Sequence, residues 1–239
     1  MIISSANFGI YVKAWKRGVS VIWKNTEFRA YLAIVAIATL LMTLSLVLQG
    51  GASLLPALRE TFFHAASISS TTGFVAADFD RWPDFCRFLL LLLILVGGCG
   101  GSTAGGMKIF RFQVASALFQ KQARQLMHPS GVFPQKYNGR PVSDHIVRSI
   151  VAFVLSYMAV IIVSSALLGM LGLPPLEAIS GSITAISNVG PGLGPVIGPL
   201  GNFASLPDAA KWILAFDMML GRLEILTVAV IFFPSFWRN

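Results

Sequence analysis

Two short stretches hold the residues best suited to chemistry: Ser69-Ser70-Thr71-Thr72-Gly73-Phe74 and Ser187-Asn188-Val189-Gly190-Pro191-Gly192. Their chemistry would be that of the backbone. Consecutive carbonyl oxygens aimed at one axis can replace the hydration shell of an alkali cation. Glycine tolerates the backbone angles that turn a carbonyl inward. The candidate filter residues are therefore Ser70, Thr71, Thr72, Gly73 and Phe74 in the first stretch and Ser187, Asn188, Val189, Gly190 and Pro191 in the second. The plain alternative is an ordinary Gly turn between helices. One such turn would favour that alternative; two, each behind a short Pro-led apolar segment, favour a filter.

A second constellation joins two separated places. Gly97, Gly98, Gly100, Gly101, Gly105 and Gly106 put six glycines into ten residues, with Ser102 and Thr103 among them. Each Gly costs a helix about 1 kcal/mol relative to Ala, so a helix is expected to break here. The spacing is neither GxxxxGK[ST] nor GxGxxG, which gives no nucleotide loop. Gly97, Gly101 and Gly105 also fit close helix packing of the GxxxGxxxG kind, and that alternative stays open. Gly100-Gly101-Ser102 loosely resembles an intramembrane serine-protease turn, but no His sits at matching depth, so an enzyme is not expected. Arg222 is the other half of the constellation. An intramembrane Arg is costly and faces the interior with partners; Asp217, Glu224 and loop carbonyls are the candidates. Glu224, two residues on, lies mostly off the helical face of Arg222 and reads as structural.

The elements that must position these residues follow from composition. The 239 residues are 55% hydrophobic and 12% charged, with mean hydropathy +0.74. A soluble domain carries about 25% charged residues, so a cytosolic globule is excluded, and so is a disordered tail. Cys86 and Cys99 form neither a disulfide scaffold nor a zinc pattern. A bilayer core takes about 20 apolar residues per helix. Segments 31–48, 85–96 extended into the glycines, 150–171 and 212–233 are candidate spans, the last despite Asp217, Arg222 and Glu224. The first is not a signal peptide, because a long mixed-polarity stretch precedes it. Segments 56–69 and 175–187 are too short to cross; each opens with Pro and runs into glycine, as a re-entrant half-helix would.

The same plan occurs twice, over 30–125 and 147–236. Gly73 and Gly190 are 117 residues apart, while Pro83-Asp84 and Gly97 match Pro207-Asp208 and Gly221 at 124, the difference being a longer loop at 193–206. Each unit crosses twice, so the repeats run parallel. Lys13, Lys16, Arg17, Lys24 and Arg29, with Lys108, Arg111, Lys121, Arg124, Lys136, Arg140 and Arg148, fall on one side; most acids fall on the half-helix side. The positive-inside rule puts both termini and the inter-repeat link in the cytoplasm. The net charge of +8 is thus a topology signal and not a nucleic-acid footprint. An acidic outer face also concentrates cations. His64, His128 and His145 are scattered and form no metal site.

Taken together, residues 70–74, 97–108, 187–192 and 219–226 (MLGRLEIL) resemble the Trk/Ktr/HKT superfamily of potassium transporters, specifically the membrane subunit of bacterial Trk systems. Ala6-Asn7-Phe8-Gly9 and Glu27-Phe28-Arg29 resemble the linker before that family's third repeat. The resemblance implies an all-α integral membrane protein of the inner membrane. Its two parallel helix–pore helix–filter–helix repeats would be of potassium-channel type: a cytoplasmic linker 1–29, a third-like repeat 30–125, a cytoplasmic link 126–146 and a fourth-like repeat 147–239. It implies potassium as the transported ligand, held by the carbonyls of Thr71, Thr72, Asn188 and Val189, and no other cofactor. It favours residues 97–106 as a gate beneath the filter, braced by Arg222. It implies a cytosolic nucleotide-binding regulatory subunit docking near 108–128, and a homo-oligomer. The family carries four repeats per chain, so the first two repeats, or an equivalent half, are expected as a partner. The competing reading is a non-conducting membrane assembly or packing protein.

Overall fold

The computed structural model describes residues 1–128, 131, 133, 136–137, 140–231 and 234–237. Two short helices, α1 (Phe8–Arg17) and α2 (Ser20–Lys24), lead into α3 (Thr26–Gly50). The Asn25 side chain accepts from the Phe28 N–H at 2.8 Å, and Gly51 ends α3 in the left-handed region at φ 63°, so polar cap and Gly stop bracket a helix that carries no charge after Arg29. At 25 residues α3 is about 37 Å long, enough to cross a bilayer. The 27 residues of α7 (Asp144–Met170) give about 40 Å. These two helices are the ones long and apolar enough to span unaided among the described residues.

Each is followed by a half-helix: α4 (Leu54–Ser69) after α3 and α8 (Pro175–Ser187) after α7. Pro175 is the first residue of α8, as expected. In α4 the helix starts two residues before Pro56, still within the first turn, where the missing N–H costs nothing. At 16 and 13 residues they reach only about 24 and 20 Å. Their apolar and small faces pack inward, with Ile68, Ile183 and Ile186 in one continuous core with Tyr31, Met42, Leu90 and Tyr157.

The inner helices are interrupted. α5 (Asp84–Val96) stops at Gly97, and the chain runs without helix to α6 (Ile109–Met127). The glycines break the helix as their cost predicts. α9 (Asp208–Arg222) is followed by α10 (Ile225–Ile231). The span 212–233 is therefore not one helix: it breaks at Leu223 and Glu224, and Phe232 and Phe233 lie outside the described residues. The link 126–146 is only partly described; it contains β1 (Lys136–Tyr137) paired antiparallel with β2 (Arg140–Pro141). All else that is regular among the described residues is helical.

Candidate functional site

The polypeptide leaves each half-helix in the same way. The Thr71 N–H bonds the Ile68 carbonyl at 3.0 Å and the Asn188 N–H bonds the Ala185 carbonyl at 3.0 Å. One residue on, the Thr72 N–H reaches the Ser67 carbonyl at 2.9 Å and the Val189 N–H reaches Thr184 at 3.1 Å. The Gly73 N–H shares the Ser67 carbonyl at 3.4 Å, whereas the Gly190 N–H bonds the Thr184 hydroxyl at 3.1 Å. Every donor and acceptor in these pairs is offset by 117 residues. Thr71 and Asn188, neither of them glycine, both sit in the left-handed region, at φ 53° and 55°, and Gly73 and Gly190 follow at 73° and 119°.

The N–H groups are thus consumed by the half-helices. Among the described residues, the carbonyls of Thr71, Thr72, Asn188 and Val189 accept no hydrogen bond. The Phe74 carbonyl is different: it accepts from the Ser67 hydroxyl at 2.8 Å. The two segments lie side by side, since a Cβ on Gly73 would stand 2.1 Å from the Val189 oxygen. Ser70 is tied locally, its hydroxyl bonding the Ser67 carbonyl and pairing with Thr72 Oγ1 at 2.7 Å. Ser187 is buried and pairs with the Tyr157 hydroxyl at 2.7 Å, as Ser69 pairs with Tyr31 at 3.2 Å. A tyrosine of each spanning helix therefore holds the foot of a half-helix.

The Gly-rich segment passes directly beneath. The Gly105 N–H donates to Thr71 Oγ1 at 2.9 Å, and a Cβ on Gly105 would meet the Ser187 oxygen at 2.1 Å. Arg222 comes to the same place and donates from Nη1 to the Thr103 carbonyl at 3.2 Å. Of the three partners weighed for Arg222, the loop carbonyl is the one it takes. Asp217 is occupied elsewhere, accepting from Ser164 at 2.7 Å and from Ser182 at 3.4 Å. Glu224 binds Lys108 Nζ and Arg111 Nη2, each at 3.2 Å. Arg111 itself lies 3.7 Å over the Phe153 ring. Lys108 and Glu224 both have positive φ, 68° and 59°, and each immediately precedes, or all but precedes, the helix that resumes after an interruption. A cleft of about 180 Å³ is lined by Thr103, Gly105, Gly106, Lys108, Arg111, Arg222 and Glu224 among others.

With this geometry in view, the family model for the cation transport protein TrkH matches residues 19–238. The chain belongs to the TrkH family. The Trk system potassium uptake protein TrkI of Halomonas elongata is 42% identical over all of this chain and 48% of its own length. TrkH of Escherichia coli K12 is 33% identical over all of this chain and 49% of its own. The crystal structure of the potassium transporter TrkH from Vibrio parahaemolyticus superposes with a TM-score of 0.91 at 33% identity, covering 99% of this chain and 51% of that one. The chain spans about half the length of the curated relatives it matches.

Two residues escaped the sequence. His64, set aside there as one of three scattered histidines, supports the segment beyond residues 70–74. Its Nδ1 faces the Glu60 carbonyl at 2.8 Å, and its Nε2 accepts from the N–H groups of Ala76 and Ala77 at 3.2 and 3.4 Å. A carbonyl on one side and two N–H donors on the other fix the neutral ring with its proton on Nδ1. Asp80 ties the two connections after the half-helices together, accepting from the Gly194 N–H at 3.1–3.2 Å. Glu177 accepts from the Val196 N–H at 3.0 Å on the same loop. Burial, with Asp78 and Glu177 nearby, pushes the Asp80 carboxyl above its ordinary value, although the Gly194 N–H and Arg87 act the other way.

Proposed function

We propose that this chain supplies two quarters of a potassium uptake pathway, as parallel pore repeats 30–125 and 147–239 joined by a cytoplasmic link 126–146. Potassium is the transported ligand, and the carbonyls of Thr71, Thr72, Asn188 and Val189 are its ligands. The observation that carries this reading is the matched pair of stretches 117 residues apart, each with its N–H groups spent on a half-helix. A peptide group anchored by its N–H presents its oxygen on the opposite side, where it substitutes for water around an alkali cation. The naming of the relatives as Trk system potassium uptake proteins supports potassium as the ion.

Residues 97–106 serve as the gate, and Arg222 as a fixed positive charge at the same depth. A cation leaving the filter meets Gly105 and Thr103 in its way and a guanidinium beside it. The membrane is the inner membrane, with both termini and the basic link cytoplasmic. A second half carrying the first two repeats completes the ring of carbonyls, a nucleotide-binding cytosolic subunit regulates it, and the assembly is a homo-oligomer.

The test uses a complete four-repeat assembly in vesicles, with rubidium uptake and sodium discrimination measured per folded protein. Gly73→Ser and Gly190→Ser should each reduce uptake or selectivity by tenfold or more, because a side chain cannot follow a positive φ without strain. Wild-type flux and discrimination in both would overturn the filter. Arg222→Ala, and deletion of three loop glycines, should raise flux in the absence of the regulator. A packing protein predicts poorer assembly and no gain.

A further inference from the structure

We propose that residues 4–8, together with Glu27, form a seat that holds the first part of the Gly-rich loop from the side opposite the filter, leaving only its tip at 104–106 to move. This rests on the reading of 97–106 as a gate and adds to it the device that sets its resting position.

The seat is built mainly of backbone. The Cys99 N–H donates to the Ser5 carbonyl at 2.9 Å, the Phe8 N–H donates to the Gly101 carbonyl at 3.1 Å, and the Thr103 hydroxyl donates to the Ser4 carbonyl at 3.2 Å. The Gly100 N–H, between these contacts, donates to Glu27 Oε1. The other oxygen of Glu27 accepts from the Tyr137 hydroxyl at 3.1 Å. Loop and seat are more than 70 residues apart in sequence, yet four hydrogen bonds engage four of the five consecutive loop residues 99–103. Ser5 and Ala6 are 0% and 1% exposed, so the segment is packed and not draped. The Asn7 side chain lies so close to Gly101 that a Cβ there would fall 2.9 Å from Nδ2.

The two parts of the loop therefore face different neighbours. Residues 99–103 are gripped by the seat. Gly105 touches the filter segments, and the Arg222 contact falls at Thr103, where the two parts meet. A loop held by four bonds to the seat at one part, and at the other by the single bond from the Gly105 N–H to Thr71 Oγ1, moves as a hinged tip when that one bond breaks, and the strength of the grip decides how often the tip leaves the pathway. The seat continues directly into α1, whose first residue is Phe8, so a displacement of α1 on the cytoplasmic side would pull on the Gly101 carbonyl.

Phe8 gives a clean test. It is the first residue of α1, where Pro is accommodated, and Asn7 before it already has φ −62° and ψ 121°, the conformation that precedes Pro. Phe8→Pro removes the N–H that holds Gly101; Phe8→Ala removes only the ring and keeps the N–H. In the complete assembly, rubidium flux without the regulator should be several-fold higher for Phe8→Pro than for Phe8→Ala. Glu27→Ala should raise it similarly, with Glu27→Gln, which keeps an acceptor oxygen, closer to the parent.

Hydrogen exchange separates this from the gate reading. The Cys99 and Gly100 amides should exchange about tenfold faster in Glu27→Ala, the loss of one charge-assisted bond. If the loop-shortened assembly gains flux but Phe8→Pro equals Phe8→Ala and Glu27→Ala equals the parent, the seat is overturned and the gate stands. If loop shortening changes nothing, the gate falls, and the exchange rates alone decide whether the loop is seated. Unchanged exchange at Cys99 and Gly100 overturns the seat in either case.

Discussion

Single side chains decide how the two stretches after the half-helices are held. Tyr157 is buried and its hydroxyl is the partner of Ser187 at the foot of the second segment. Tyr157→Phe removes one bond and leaves a buried hydroxyl without its partner, which costs about 1–3 kcal/mol. We expect a lower melting temperature in detergent and weaker sodium discrimination. Asp80 offers a pH test. Its carboxyl is favoured in the neutral form by burial, so ionisation weakens the fold. That penalty is absent below the ordinary Asp value of 3.8 and develops as pH rises through it towards the raised folded value. Asp80→Asn keeps an oxygen for the Gly194 N–H and never ionises. It should melt higher than the parent near neutral pH, with the difference closing as pH falls towards 3.8.

Elements differ in how far the sequence announces them. Pro175, the glycine pairs and the uncharged runs are local signals, and the half-helices, long spans and loop break follow from them. The interruption at Leu223 and Glu224 has no Pro or Gly at the break itself. It is imposed from outside, where Lys108 and Arg111 capture Glu224 from the far side of the loop. The roles of His64 and of the 4–8 segment were illegible for a different reason: their partners are mainly backbone groups, which carry no residue signature. The contact between the Gly-rich loop and the end of α8 is tight enough to test. Gly105→Ala would place a methyl 2.1 Å from the Ser187 oxygen. Overpacking of this kind costs about 1–3 kcal/mol, and should appear as a lowered melting temperature with altered rubidium flux.

At the scale of the molecule, the two interrupted inner helices are fastened to each other at their breaks. Lys108 and Glu224, both at positive φ, are bonded across the cleft, with Arg111 as a second cation on the same carboxylate. Glu224→Gln leaves Arg111, 6% exposed, without its counter-ion. Loss of one partner from a buried pair costs about 3–5 kcal/mol; the exposed carboxylate places this site below that range. Thermal melting should fall, and exchange at the start of α6 and of α10 should rise together. Independent changes at the two helices would show that the ion pair does not join them.

The connections after the two half-helices have a consequence for anything that approaches the proposed pore from their side. Beyond the first stretch the chain returns to α5 by a short path, whereas beyond the second it builds the longer 193–206 loop, strapped down by Asp80, Glu177 and the Ser180 hydroxyl that accepts from the Leu193 N–H. One connection is short and the other is long. On the proposed pore reading, the two repeats give the entrance two unlike walls. A rigid plug with fourfold symmetry, such as a tetraalkylammonium ion, cannot touch all of its walls equally. An asymmetric plug would seat in one rotational setting, with its bulk over the first stretch and its edge against the loop at Gly194.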